Sequence, residues 1–476
     1  MGPLASGVRT FLLFVFSPFL LFSLSLPLVP SVQAKPPNVL FLLADDQRPD
    51  TIAALGNKII DTPYLDSLVK EGTTFTRATC ANPLCVPSRV EILTGTSGFR
   101  NGVLPGVSNT LKPGLAWWPE VLSKGGYHTW YVGKWHTAGR PSTRGYEESL
   151  GLFGSGAGAK APPQVDFKGR PVTGYRGWVF QTDDRKLFLD RGIGLTPDIS
   201  NRFADAAITF LKRKPQRPFF LHVNFTAPHD PLLWPPGFEK KYDPKKMPLP
   251  VNYLPRHPFD HGNIRGRDEV LLPFPRTKRD IREELAAYYA VISHLDQAIG
   301  RILNTLKETG QADNTIVIFS SDHGLAIGSH GLRGKQNMYE HTIGVPLILR
   351  GPGIPRNARR DAQVYLRDLF PTVCELAHLE IPSSVQGKSL AGVIAGKEKQ
   401  VYPHIFGYFK DVQRMIRTER WKLIYYPKIN RYQLFDLSND PHELKDLAQE
   451  AKYARVRAEL KEKLEAWQRE VGEGKQ

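Results

Sequence analysis

The chain has 476 residues, 41% hydrophobic and 23% charged, a globular composition with ample core for one large domain and a smaller one. Three cysteines exclude a disulfide-stapled scaffold. A formal charge of +16 favours anionic partners. No nucleic-acid-binding module is recognisable, so no nucleic acid is expected, and an acidic polysaccharide fits the charge better.

At the start of the chain, Arg9 precedes an apolar run over 11–29, then Val32-Gln33-Ala34 and the polar Lys35. This is the pattern of a secretory signal, so residues 1–34 are read as a signal peptide cleaved after Ala34. The protein is then exported, periplasmic or secreted, with no stable membrane insertion. The run is long enough to span a bilayer, which keeps an uncleaved anchor as the competing reading; Pro18, Pro27 and the serines argue against it. Asn224-Phe225-Thr226 is the single glycosylation sequon, and it falls in a buried-strand pattern. That reads as unused and favours a bacterial exterior over a lysosome.

Asn38–Ala44 (NVLFLLA) is a continuous apolar run, as expected of a strand buried on both faces of a parallel sheet. Residues 127–132, 219–225, 315–320 and 345–349 read the same way. Helical periodicity occupies 63–70, 199–213 and 283–308 between them. Strands alternating with helices predict an α/β sheet covered on both faces, with its chemistry beyond the carboxyl ends of the strands. Asp45-Asp46 directly follows the first strand, and Asp322-His323 directly follows the 315–320 strand. The two acidic pairs are therefore expected at one edge.

Two stretches break the rhythm: 139–194, rich in glycine and aromatics, and 231–282, rich in proline and basic residues. Both are read as walls of a substrate cleft. After a helix at 366–377 come short strands at 415–417, 422–426 and 432–436 and a closing amphipathic helix at 451–471. The predicted domains are thus 35–382, catalytic, and 383–476, a smaller α+β unit with antiparallel strands.

The chemistry-bearing motifs are specific. Cys85-Val86-Pro87-Ser88-Arg89 taken alone is either a small buried thiol or something less ordinary. Gly126-Tyr127-His128-Thr129-Trp130-Tyr131-Val132-Gly133-Lys134-Trp135-His136, Ala227-Pro228-His229-Asp230, and Ser321-Asp322-His323-Gly324 followed by His330 and Lys335 complete the set. Their order and spacing resemble the formylglycine-dependent sulfatases of the alkaline phosphatase superfamily, from about residue 38 to the terminal helix.

The resemblance implies a large mixed, mostly parallel sheet flanked by helices, and hydrolysis of a sulfate ester, with a sulfated saccharide as the expected substrate. It implies that a formylglycine-generating enzyme converts Cys85 to Cα-formylglycine, whose hydrate is the nucleophile. Asp45, Asp46, Asp322, His323 and residue 85 would hold one divalent cation, usually Ca2+, with Mg2+ or Mn2+ as alternatives. Arg89 would steady the hydrate, and Lys134 and Lys335 would grip sulfate oxygens. His229 would protonate the departing alcohol, and His136 would take a proton from the second hydroxyl.

Many relatives carry asparagine where His323 stands, which leaves the metal open. A phosphonate or phosphodiester hydrolase of the same superfamily is the nearest rival; such enzymes tend to lack the Lys134/His136 pair. A non-catalytic sulfated-glycan-binding protein is the rival from another class. His330 and the tryptophans Trp117, Trp118, Trp178 and Trp234 are candidates to touch substrate. Gln47 and Arg48 have no assigned role, and Cys80 and Cys374 are either paired or free.

Overall fold

The structure, a computed structural model, describes residues 1–2, 7–14, 35–106, 108–158 and 161–473. Most of the leader's apolar run and the expected cleavage point at Ala34 lie outside the described residues. Met1–Lys35 and Pro36–Gln476 form two compact units, and the described residues of the first contain no helix or strand. Among the described residues, no helix is long and apolar enough to cross a membrane.

The second unit is organised by ten strands: β1 (Asn38–Ala44), β2 (Thr73–Phe75), β3 (His128–Lys134), β4 (Glu148–Ser155), β5 (Trp178–Gln181), β6 (Leu187–Ile193), β7 (Phe219–Asn224), β8 (Thr315–Ser321), β9 (Leu347–Arg350) and β10 (Ala358–Arg360). They form one sheet in the order β6-β5-β4-β3-β7-β1-β8-β9-β2-β10. The middle five, β4-β3-β7-β1-β8, are parallel.

Among the described residues, seven helices of seven or more residues accompany it: α1 (Pro63–Glu71), α2 (Cys85–Thr94), α3 (Trp118–Lys124), α4 (Ile199–Leu211), α5 (Lys278–Glu308), α6 (Leu369–Leu376) and α7 (Ala454–Glu470). Successive strand residues point to opposite faces, and β1 shows the consequence. Val39, Phe41 and Leu43 pack with Ile92 of α2, Trp118 of α3 and Phe370 of α6. Leu40, Leu42 and Ala44 pack with Leu65 of α1, Phe203 of α4 and Leu295 of α5. Each large apolar side chain so buried contributes about 1.5–3 kcal/mol, so the central strands are anchored from both sides.

The sheet is mixed and mostly parallel, as expected; the strand expected at 345–349 forms as β9 and runs antiparallel to β8, as β5 does to both its neighbours. The stretch 139–194, expected as a wall of the cleft, does line a cavity beside His136, and it also supplies β4, β5 and β6 at one end of the sheet. Its glycines and aromatics obscured the period-two pattern. The C-terminal part forms a four-stranded antiparallel sheet, β11 (His404–Phe409), β12 (Gln413–Thr418), β13 (Trp421–Tyr426) and β14 (Arg431–Asp436), with α7 packed on it. All three cysteines are unpaired and buried.

Candidate active site

The parallel register sets the site. Leu43 of β1 lies opposite Asn224 of β7 and Ser320 of β8, and Ala44 opposite Ser321, so the chain ends Asp45-Asp46, Ala227–His229 and Asp322-His323 emerge side by side. Gly133 of β3, with φ +94°, allows close approach to β7: a β-carbon there would stand 2.0 Å from the Asn224 carbonyl oxygen. Lys134 then projects from the end of β3.

Cys85 is the first residue of α2. Pro87 suits this first turn because its missing N–H has no intrahelical partner to lose. Arg89 follows one turn later. It donates from Nε to Asp322 Oδ2 at 3.1 Å and from Nη1 to Asn224 Oδ1 at 2.7 Å, and its Nη2 lies 3.7 Å from Asp45 Oδ1. Ser88 Oγ donates to the Asp322 carbonyl at 2.7 Å, pinning the helix to β8's end.

Around Cys85 Sγ stand Asp45 Oδ1 at 3.5 Å, His323 Nε2 at 3.4 Å and Lys335 Nζ at 3.4 Å. Lys134 Nζ donates to Asp45 Oδ2 at 2.5 Å, and Lys335 Nζ to Asp46 Oδ1 at 2.8 Å. His136 is half-buried, and its buried Nδ1 has no hydrogen-bond partner. His229 donates from Nδ1 to the Asp230 carbonyl at 2.7 Å, which leaves Nε2 facing Asp46 Oδ2 at 4.0 Å.

Side chains able to ligate a metal form two overlapping clusters: Asp45, Asp46, Cys85 and His229; and Asp45, Cys85, Asp322 and His323. Within each, the ligand atoms lie within 4.8 Å of one another. Asp45, Asp46, Cys85, Asp322 and His323 all fall within these two groups, which share Asp45 and Cys85. His229, not among the expected ligands, joins the first.

The electrostatics test whether a cation fits. Burial pushes Asp46 above the usual carboxylate range, and burial together with the Asp45 charge raises Asp322 to about 6. Burial and the Cys85 sulfur oppose ionisation of Asp45 as well, but Lys134, His229 and Arg89 outweigh them and hold it low. Burial disfavours the His323 imidazolium, yet Asp322, Cys85 and Asp46 raise it to about 9. Three buried carboxylates converge on one point, two of them raised above the usual range, and a divalent cation there would offset their mutual repulsion. The donor set fits such an ion.

The two other histidines diverge. Burial lowers His136 below the usual imidazole range. His229 is raised: burial opposes its charge, but Asp46 and Asp230 prevail. Despite burial, Lys134, Lys335 and His323 draw the Cys85 thiol well below its ordinary range.

Several candidates lie elsewhere. His330 stacks on Tyr339 at 3.9 Å and bonds Asn252 through Nε2, outside both clusters. Trp117 and Trp118 are core residues, and Trp234 packs edge-on against Phe167. Trp178 does reach the site, 5.0 Å from the His136 ring. Arg48 pairs with Asp50 and donates to the Leu325 and Ala326 carbonyls, a structural tie, and Gln47 bonds Thr51.

Three site residues escaped sequence reading. Asn224 anchors Arg89; its sequon was the visible signal, and its burial at 2% exposure keeps it from modification. Asp230 supports His229 and is itself held by a two-pronged ion pair with Arg267. Tyr175 donates its hydroxyl to Asp45 Oδ2 from within the 139–194 stretch.

The profile of the family described as Sulfatase matches residues 37–379, and one described as N-sulphoglucosamine sulphohydrolase, C-terminal, matches 328–470. An arylsulfatase of Clostridium perfringens is 31% identical over 450 residues, covering 88% of this chain and 91% of its own. An N-acetylglucosamine-6-O-sulfatase of Bacteroides thetaiotaomicron is 27% identical, with 92% and 87% covered. A solved structure in complex with its substrate, D-glucosamine-2-N,6-O-disulfate, superposes with TM-score 0.75 at 25% identity, over 92% of this chain and 99% of its own. A phosphonate monoester hydrolase of Agrobacterium radiobacter shares the fold, with TM-score 0.71 at 23% identity over 91% and 96%.

Proposed function

The chain belongs to the sulfatase family, and from that premise we propose that it hydrolyses sulfate esters of a saccharide at Cys85, in the matured protein a Cα-formylglycine. The observation that carries this is the setting of Cys85, with a carboxylate, an imidazole and an ammonium all within 3.5 Å of its sulfur. Conversion of Cys85 supplies two hydroxyls on one carbon, one to attack sulfur and one through which sulfate is later expelled. Asp45, Asp46, Asp322 and His323 would hold a divalent cation, calcium by family habit, which when bound polarises the sulfate and acidifies the nucleophile.

The chain's own residues divide the remaining work. Lys134 and Lys335 place two ammonium groups where sulfate charge accumulates. Arg89, locked by Asp322 and Asn224, presents a fixed guanidinium to residue 85. His229 has Nδ1 occupied, so Nε2 carries the proton delivered to the departing alcohol oxygen. His136 accepts the proton of the second hydroxyl on residue 85. Their opposite shifts suit an acid and a base respectively.

The saccharide reading draws on the N-acetylglucosamine-6-O-sulfatase relative and the disulfated glucosamine complex. A cavity of about 930 Å³ beside Val86 and His136, walled by Trp178, Gln181 and Arg185, offers an aromatic face and a cation. In this reading residues 1–34 direct export, 35–382 carry the chemistry and 383–476 form the smaller domain.

Two measurements test it. Mass spectrometry of the Cys85 peptide should show the aldehyde; an alkylatable thiol in fully active enzyme sinks the maturation proposal. The matured enzyme should release sulfate from a panel of defined sulfated saccharides faster than it cleaves 4-nitrophenyl sulfate or a phosphodiester. Faster phosphodiester cleavage would place it with the phosphonate hydrolases instead.

A further inference from the structure

One five-residue segment, Gly174 to Trp178, touches the site at five places. Gly174 passes over the ion pair flanking His229: a β-carbon there would stand 2.4 Å from both Arg267 Nη2 and Asp230 Oδ2. Tyr175 follows in the left-handed region at φ 57°, an uncommon conformation for a bulky residue. Its ring meets the His229 imidazole nearly edge-on, centroids 4.8 Å apart, and lies 5.1 Å from Lys134 Nζ. Its hydroxyl donates to Asp45 Oδ2. Trp178 braces the ring from behind at 4.9 Å and meets His136 on its other side. Tyr175 is 6% exposed.

These contacts divide the two oxygens of Asp45. Oδ2 receives both Lys134 Nζ and the Tyr175 hydroxyl, whereas Oδ1 faces Cys85 Sγ at 3.5 Å. A carboxylate with one oxygen held by two donors loses its freedom to rotate, so the other is fixed on residue 85. The edge-on ring contact likewise restricts the His229 imidazole. Tyrosine is matched to both tasks, since phenylalanine would hold the histidine and release the carboxylate.

We propose that Tyr175 is a positioning residue of the catalytic site, its hydroxyl orienting Asp45 toward residue 85 and the cation position, and its ring orienting His229. This rests on the sulfatase reading above. A tyrosine that merely filled space would contribute to stability and leave cation binding by the folded protein unchanged.

The test uses the full chain as wild type, Tyr175→Phe and Tyr175→Leu. Calcium and magnesium binding are followed by titration calorimetry on unconverted protein, so that this arm needs neither maturation nor substrate. Then kcat and KM are measured on 4-nitrophenyl sulfate with converted enzyme. Tyr175→Phe is expected to melt like wild type, to bind the cation about tenfold more weakly and to lose about tenfold in kcat, with KM little changed. Tyr175→Leu should lose further kcat through His229 without weakening the cation more.

Wild-type cation affinity and kcat in Tyr175→Phe would overturn the inference while leaving the sulfatase reading intact. A lowered melting temperature with unchanged affinity would also overturn it, by showing a packing role alone. A wild-type chain that binds neither cation and hydrolyses no sulfate ester overturns the underlying reading, and this inference with it.

Discussion

Two regions of the molecule bury charge, and they do so differently. Against the C-terminal sheet, Lys422 and Arg417, each at most 1% exposed, face Glu340 and Glu443. Lys422 Nζ lies 3.0 Å from Glu340 and 2.7 Å from Glu443, and Arg417 Nη1 lies 2.6 Å from Glu340. Two cations meet two anions, and Arg417 spends its other donors on Gln363 and Thr79. At the strand ends three carboxylates and a thiol crowd two lysines, Arg89 and His323 around one point. Balanced groups that satisfy one another hold elements together. Groups that converge on a shared point are arranged for a ligand.

The contrast is most sharply tested at the nucleophile. Cys85→Ala is expected to abolish turnover, by at least about a thousandfold, while the melting temperature stays at or above that of wild type. Hydrolysis assays on matured enzyme check this, and retained turnover would refute the assignment. His229→Ala should lose about 10²–10⁴ in kcat. A substrate with a good leaving group, such as an aryl sulfate, should suffer less than a sugar sulfate, because it needs less protonation. Equal losses on both would show that His229 does not serve the leaving group.

The C-terminal cluster should respond in the opposite way. Lys422→Met leaves the buried Glu443 without its cation, while Glu340 keeps Arg417, and is expected to cost about 3–5 kcal/mol of stability. Denaturant unfolding measures it, and kcat on folded protein should stay close to wild type. Loss of kcat without loss of stability would erase the distinction between the two regions.

A smaller effect lies in α5, whose Asp296 takes over the cap of α1. It accepts from Leu65 N at 2.7 Å and from Tyr64 N at 3.2 Å, where the Thr62 side chain makes no capping bond. Burial raises its carboxyl from 3.8 to about 7 in spite of those donors. The folded protein therefore holds this proton more tightly than the unfolded chain. Its contribution is complete below pH 3.8 and is lost as pH rises through about 7. Asp296→Asn keeps an acceptor and removes the titration, so wild type should lose stability relative to the variant from pH 4 to 7, by at most about 1.4 kcal/mol per pH unit. Parallel profiles by chemical denaturation would contradict it.

Much of the site was legible because its residues sit in short motifs attached to regular elements. Asp45-Asp46 and Asp322-His323 each follow an apolar run, and the rule that ligands gather at the carboxyl ends of parallel strands brought them together before any coordinates. Cys85 and Arg89 are one turn apart in a single helix. By contrast, Tyr175 reaches Asp45 from 130 residues away. It does so from a stretch whose glycines and scattered aromatics match neither helix nor strand periodicity. Asn224 appeared only as a sequon, and its bond to Arg89 depends on two elements packing across the sheet. The mixed character of the sheet was expected, but nothing in the composition of 345–349 distinguishes a parallel strand from the antiparallel β9.

The sequence by itself thus determined the chemical inventory and the α/β frame, because hydrophobic periodicity and motif spacing are local properties of the chain. Tertiary structure alone decided which oxygen of Asp45 faces Cys85, which nitrogen of His229 is free, and which aromatic residue closes the site. Those outcomes depend on burial and on contacts between segments far apart in the chain, where the dielectric is low and each donor competes for a limited set of acceptors.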